Sequence, residues 1–288
     1  MKLRIAITGA SGFLGSALAR RLLEHGAEVH ALARRPVPLP GVRWHSYALG
    51  SPVPASVDFE NLDAVVHAAF SMEVAGLAGE HLNIRAAHEL HALTRRHQRH
   101  FVFVSSMSAH AGAVSSYGRA KWQIEQLLDP AIDAIVRPGL IIGPGGVYAR
   151  MLATLRRTPV LPVFFGGLQP VQPVGLPDLI DGLERILTRR LSGIFNLGSA
   201  ESISIRKLYA RMLAASGLRR VIVPLPGDAT VLALRLSERL GLRFPLTVEN
   251  LLGQKHLQTF ETADSFARLG LAPASLDQLP WTTLPSKP

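Results

Sequence analysis

The chain has 288 residues, 48% of them hydrophobic, no cysteine and a formal net charge of +10. Disulfides and thiolate metal sites are therefore excluded, and no run of about eighteen apolar residues offers a membrane span. The apolar content suffices for a full α/β core plus a small lobe. The arginines are scattered over many predicted helices without a nucleic-acid motif. The charge therefore reads as a basic soluble surface, or an attraction for phosphorylated ligands, and no nucleic-acid or membrane partner is expected. No segment resembles a signal peptide, since Met1 leads straight into a predicted strand, and a cytoplasmic location is expected.

The first thirty-five residues read as strand, glycine turn, helix and strand. Leu3, Ile5 and Ile7 form a short apolar run of the buried-strand kind. Thr8 to Gly15 (TGASGFLG) follows, then a helical pattern of Leu14, Leu18, Leu22 and Leu23 that stops at Gly26. A glycine turn between a first parallel strand and a helix offers backbone N–H groups and a positive helix end to a pyrophosphate. Gly9 permits the tight turn, Gly12 the close approach of phosphate and Gly15 the packing of helix on strand. The neighbouring Ser11, Phe13 and Leu14 belong to the same cofactor-binding turn. A second apolar run, Val29 to Ala33, closes the unit and ends in Arg34-Arg35-Pro36, with no acidic residue between Glu28 and Asp58. An acid there would bond an adenosine ribose, whereas guanidiniums bond a 2′-phosphate in bidentate fashion. Arg34 and Arg35 therefore favour NADP(H), with NAD(H) possible.

Further along, Val65-Val66-His67-Ala68-Ala69 reads as a buried strand and its turn, and Phe101 to Ser106 as another strand. His81 to His100 holds five histidines. His88 and His91 stand i, i+3, but no carboxylate spacing completes a metal site, and no metal is expected. Tyr117 and Lys121 stand i, i+4, which on a helix stacks them one turn apart. An ammonium there favours the phenolate and pulls the tyrosine pKa towards neutrality, as a general acid/base for an alcohol or carbonyl requires. Trp122 to Leu128 continues the helix, presenting Ile124, Leu127 and Leu128 to one face. The proline-rich stretches Pro36 to Pro40 and Pro159 to Pro177 read as loops.

Taken in order, these motifs resemble the extended short-chain dehydrogenase/reductase group, the NAD-dependent epimerase/dehydratase family. Thr8 to Gly15 resembles its TGxxGxxG turn, and Val65 to Ala69 its fourth strand, with His67, Ala68 and Ala69 lining the cofactor. Asn83, heading a long helix, resembles its structural asparagine. Phe101 to Ser106 resembles the fifth strand ending in a catalytic serine, and Tyr117 with Lys121 the YxxxK motif. Arg137-Pro138-Gly139, with Leu140 and then Gly143-Pro144-Gly145, resembles the loop that passes the nicotinamide. Gly193 to Ser199 resembles the seventh strand. The resemblance implies a Rossmann-type, doubly wound parallel α/β sheet with a small C-terminal substrate lobe. The dinucleotide domain would take residues 1–165 plus the strand near 193–198. The lobe would take 199–288 with part of 139–192.

The resemblance further implies that Ser106 (or Ser105) bonds the substrate oxygen and Tyr117 moves the proton. Lys121 would bond the nicotinamide ribose and lower the tyrosine pKa. The short interval from Ser106 to Tyr117 implies a trimmed loop and an open substrate mouth. The helix bearing the histidines and the Tyr117 helix would form a homodimer bundle. Two departures from the family matter. His45 to Gly50 holds no acid to contact adenine, so either apolar and backbone contacts hold it there or the loop is remodelled. Met107 and Ser108, where dehydratases carry acids, argue against water elimination. Three functions follow. The first is an NADP(H)-dependent reductase or dehydrogenase acting on a small carbonyl or secondary alcohol. The second is a nucleotide-sugar 4-epimerase with retained NAD, opposed by the lack of an arginine near Val171 to Asp178. The third is a non-catalytic cofactor-binding assembly protein, opposed by the intact serine, tyrosine and lysine.

Overall fold

The computed structural model describes residues 2–72, 76–239 and 248–281. Six strands of the main sheet come in the first half of the chain: β1 (Arg4–Thr8), β2 (Glu28–Ala33), β3 (Arg43–Ser46), β4 (Ala64–His67), β5 (His100–Val104) and β6 (Ala134–Pro138). The chain then leaves the sheet for the short strands β7 (Leu140–Ile142), β8 (Val160–Phe164), β9 (Pro170–Val171) and β10 (Pro173–Gly175). It returns as β11 (Gly193–Leu197). The sheet order is β3-β2-β1-β4-β5-β6-β11, with every pairing parallel. It is a Rossmann-type doubly wound fold, in which β1 pairs with β2 on one side and β4 on the other.

Both faces of this sheet are covered, which is why its strands read as continuous apolar runs without polar alternation. Ile5, Ile7, Val29, Val66 and Val136 face helices α1 (Phe13–Glu24) and, further on, α5 (Leu176–Arg189). Ala6, Leu32, Phe101, Phe103 and Ile135 face helices α2 (Gly76–Arg96) and α3 (Ser116–Glu125). Arg119 of α3 bridges to the buried Glu80 of α2, tying these two helices together. Ile124 and Leu128 enter that core, while Leu127 points outward. Asn83 lies inside α2, not at its head.

The lobe is built from α4 (Gly146–Arg157), β12 (Ile203–Ser204), α6 (Ile205–Ser216), β13 (Val221–Leu225), α7 (Gly227–Arg239) and α8 (Val248–Lys255). Its core collects Tyr148, Leu152, Leu161, Leu208, Met212 and Trp281. The last helix, α9 (Ala263–Leu269), turns back to the sheet, where Phe266 and Leu269 join the main core beneath Phe195. The stretch Pro159 to Pro177, expected as loop, contains β8, β9 and β10. Proline is accepted there because these strands pair in twos and keep a free edge for the residue that lacks an N–H. No helix among the described residues is long and apolar enough to cross a membrane.

Gln172 fastens the lobe's return segment to the core. Its amide donates to the carbonyls of Ser199 (3.0 Å) and Phe260 (2.9 Å) and accepts from the Phe260 N–H (2.7 Å). Gln172→Ala removes all three bonds and leaves buried backbone groups unpaired. We expect a loss of about 2–3 kcal/mol in urea unfolding, with faster proteolytic nicking near Phe260.

A candidate dinucleotide and proton-transfer site

The cradle forms where β1 parts from its two neighbours. Gly9 sits at φ +71°, and a Cβ there would stand 2.9 Å from the Ala69 backbone. A Cβ on Gly15 would fall 2.3 Å from the Gly9 carbonyl, so α1 rests directly on the turn. Gly12 is the N-cap of α1, with no side-chain cap and no acid in the first turn. Its N–H bonds the Gly9 carbonyl at 2.8 Å. A turn this bare, ending at a positive helix terminus, fits a dinucleotide pyrophosphate.

A cavity of about 510 Å³ opens at this point. Gly9, Ser11, Gly12, Ala68 and Ala69 form its floor; Leu32, Tyr47, Leu49 and Leu82 form an apolar end; Arg34 stands at its edge. Arg35 is exposed beside Arg34. Phe13 does not line the cavity: its ring packs under Gly143, Gly145 and Gly146, joining the glycine turn to the loop after β7. Leu14 packs against the main core and Leu140 against the lobe core. Pro138 is buried at the end of β6, and Gly139 has no room for a side chain, since its Cβ would overlap the Gln172 carbonyl.

His67 differs from the expectation. Its imidazole is buried, paired with Thr8 Oγ1 at 2.8 Å and stacked between Phe101 and Phe103. Thr8 Oγ1 in turn accepts from the Ala69 N–H. The side chain therefore fixes the ends of β1 and β4 from inside, and only Ala68 and Ala69 face the cavity. Burial, with the Lys121 charge as a second cause, pushes its pKa down to about 3, so it is neutral. Asn83 accepts from the Ser71 N–H (2.8 Å) and donates to the Ser71 carbonyl (3.0 Å), holding the next stretch of the wall.

On the far side of Phe70 lies the proton-transfer set. The two serines that end β5 part company. Ser105 is buried and donates to Glu125, whereas Ser106 accepts from the Ser108 N–H and stands beside Tyr117, where its hydroxyl favours the phenolate. Ser115 caps α3 through the Gly118 N–H (3.1 Å). A Cβ on Gly118 would stand 2.5 Å from the Ser108 carbonyl, so the trimmed loop lies directly on the helix. From the lobe, α8 comes up to this loop, with Gly253 against Ser115. Lys121 is 3% exposed; its ammonium donates to the Val104 carbonyl (2.6 Å) and lies 4.6 Å and 5.0 Å from the Phe103 and Phe70 ring centres. Phe70 meets the Tyr117 ring edge-on at 4.9 Å.

The electrostatics correct the sequence-based picture of a depressed tyrosine. In the protein alone, burial raises the Tyr117 pKa, opposed by the Ser106 hydroxyl. Burial also pushes Lys121 down to about 7, opposed by the Glu125 carboxylate. Desolvation penalises both charges, and here it exceeds the help that Ser106 gives the phenolate and Glu125 the ammonium. Sequence reasoning missed Phe70, Glu125 and the role of Arg137. Arg137 lies on β6, and its guanidinium does not face the cofactor loop but grips Glu125. The only signal available was a charged residue at the i+4 position after Lys121. Of the five histidines, His91 bonds Asp133 and His100 is buried in β5, while His81 and His88 are exposed. No metal-binding group of three or more acidic or histidine side chains occurs among the described residues.

The fold and the cradle define a dinucleotide-binding α/β protein. The NAD-dependent epimerase/dehydratase family model matches residues 5–198, more than half of the chain, and the chain belongs to that family. It is 32% identical over 168 residues to the ceramide reductase of Caulobacter vibrioides, covering 55% of this chain and 53% of that protein. It thus spans about half the length of that relative. It is 28% identical over 266 residues to the dTDP-6-deoxy-L-talose 4-dehydrogenase (NAD(P)+) of Kitasatospora kifunensis, covering 77% of this chain and 82% of that one. Among solved structures it resembles TunA, an NAD-dependent NDP-hexosamine 5,6-dehydratase of tunicamycin biosynthesis. The TM-score is 0.70 at 20% identity, over 96% of this chain and 94% of that one.

Because folded His67 resists protonation, the unfolded chain takes up a proton between roughly pH 6.5 and 3 that the native protein refuses. The stability it contributes is present above that window and is lost as pH falls through it. His45, His100 and His110 shift in the same direction and add to the loss. In urea titrations between pH 7 and 4.5, we expect His67→Asn to flatten the slope by up to about 1.4 kcal/mol per pH unit. An unchanged slope would contradict the assignment.

Proposed function

We propose that the chain is an NADP(H)-dependent oxidoreductase acting at a carbonyl or secondary-alcohol carbon. The observation that carries this reading is the convergence of Tyr117 and Lys121, one turn apart on α3 with the ammonium 6.0 Å from the phenol ring, on Phe70, which also lines the glycine cradle, with Ser106 beside the phenol. Gly9, Ser11, Gly12, Ala68 and Ala69 would hold the dinucleotide, and Arg34 with Arg35 would favour its 2′-phosphate. When bound, the dinucleotide supplies or accepts the hydride. Ser106 hydrogen-bonds the reacting oxygen. Tyr117 gives that oxygen a proton in reduction and takes it back in oxidation. Lys121 bonds the nicotinamide ribose and puts positive charge beside the phenol.

Two relatives bear names that describe redox chemistry at a carbon–oxygen bond, one on a lipid and one on a nucleotide sugar, which supports the reaction class while leaving two substrate types to test. Met107 and Ser108 after Ser106 offer no acid for water elimination, which separates this reading from a dehydratase. Homodimerisation through α2 and α3 is part of the proposal, to be tested by sedimentation. A retained-cofactor epimerase would release tightly held NAD on denaturation, whereas the proposed enzyme exchanges NADP(H) freely.

Assays with NADPH against a panel of keto lipids and 4-keto nucleotide sugars should show turnover, with Tyr117→Phe lowering kcat by about 10²–10⁴-fold. Equal rates for wild type and variant would overturn the proton-transfer role. In fluorescence titrations, Arg34→Ala should weaken NADPH about tenfold and leave NADH unchanged. Parallel losses for both nucleotides would remove the argument for NADP.

A further inference from the structure

Tyr117, Lys121 and Glu125 lie at i, i+4 and i+8 on α3, so one face of that helix carries phenol, ammonium and carboxylate in sequence. The proton-transfer scheme uses the first two. Glu125 is 4% exposed, yet its carboxylate is fully engaged. It accepts from Ser105 at the end of β5 and from Arg137 on β6, whose Nε lies 2.9 Å and 3.1 Å from its two oxygens and whose Nη2 makes a further short contact. Arg137 is itself stacked between Trp122 (6.0 Å) and Phe260 (5.5 Å). The carboxylate therefore ties the helix bearing Tyr117 and Lys121 to the strand ends beside it. One of those ends places Ser105 inward and Ser106 outward towards Tyr117.

The Lys121 ammonium lies in an apolar setting of Phe70 and Phe103, with one carbonyl acceptor. The ionisable groups around it are Tyr117 and Glu125 on α3 and the neutral His67 from β4. Among these only Glu125 supplies negative charge without giving up the reacting proton. We infer that Glu125 is a positioning residue of the Tyr117–Lys121 pair: anchored by Ser105 and Arg137, it supplies the buried countercharge of Lys121 and locks α3 to the strand that presents Ser106. Its consequence for turnover rests on the oxidoreductase reading, while the charge relation can be measured without substrate.

The chain has five lysines, so selective ¹³Cε-lysine labelling gives a spectrum in which the Lys121→Arg variant identifies Lys121. The wild-type midpoint should lie near 7. In Glu125→Gln it should fall by about one pH unit, and Glu125→Asp should restore it. Removing the carboxylate alone leaves Arg137 buried without a partner, which costs stability. The double variant Glu125→Gln/Arg137→Gln avoids this and should show a fall in the same direction but smaller, because the Arg137 cation is lost together with the carboxylate. A wild-type midpoint in either folded variant, judged by circular dichroism, would overturn the inference, since a purely structural role leaves the titration in place. If wild type turns over no carbonyl or alcohol, the oxidoreductase reading fails and the lysine titration still decides the role of Glu125.

Discussion

The site depends on the contact of bare backbone at the end of β1. Gly9 is pressed against Ala69, and Gly15 against Gly9, with no space for a Cβ at either glycine. That contact brings α1, β1 and β4 together at the point where the sheet order reverses, which is where an open parallel sheet leaves a crevice. Thr8 and His67 hold it from beneath, and Ser71 is held from the side by Asn83. A floor of glycine, alanine and Ser11 lets a pyrophosphate approach the uncapped first turn of α1, whose N–H groups point at it. Each side chain that shapes the crevice therefore acts from below or beside it.

The second constraint is electrostatic. Lys121, Glu125 and Arg137 are taken largely out of water along α3 and the strand beside it, and burial of charge is costly unless it is paired and hydrogen-bonded. The two residues of the Glu125–Arg137 pair meet this condition with several bonds each. Lys121 meets it less fully, with one carbonyl and two aromatic faces. On the proposed function, the difference has a sense. A pair meant only to hold helix on strand gains from full satisfaction. An ammonium meant to act on a neighbour must keep some of its field unspent.

The sequence made legible what depends on near neighbours along the chain. The glycine turn, the i, i+4 tyrosine and lysine, and the strand ending in serine each combine local spacing with a known backbone need, and all lie in the predicted elements. Groups brought together across the fold were not legible. Arg137 meets Glu125 across a strand and a helix, and Gln172 meets Phe260 from 88 residues away. His67 read as a cofactor contact because strand position was known but the face of the strand was not, and period-two alternation is masked when both faces are apolar. The prolines of β8 to β10 read as loop because pairing in two-stranded edges leaves no mark on local propensity.

Charge state was the least legible property, because it follows from burial more than from spacing. An i, i+4 lysine alone implies a lowered phenol, as it would on a solvated helix. Inside the protein the phenol keeps its proton and the lysine is weakened, since both lose water. On the proposed function this has a direction. A neutral phenol beside Ser106 is a proton donor, so the protein alone is poised for reduction of a carbonyl. Oxidation needs the phenolate, and therefore a fully charged Lys121. The countercharge that keeps Lys121 charged sits one turn beyond it, on the side away from the reacting oxygen, where it can favour the ammonium without competing for the proton being moved.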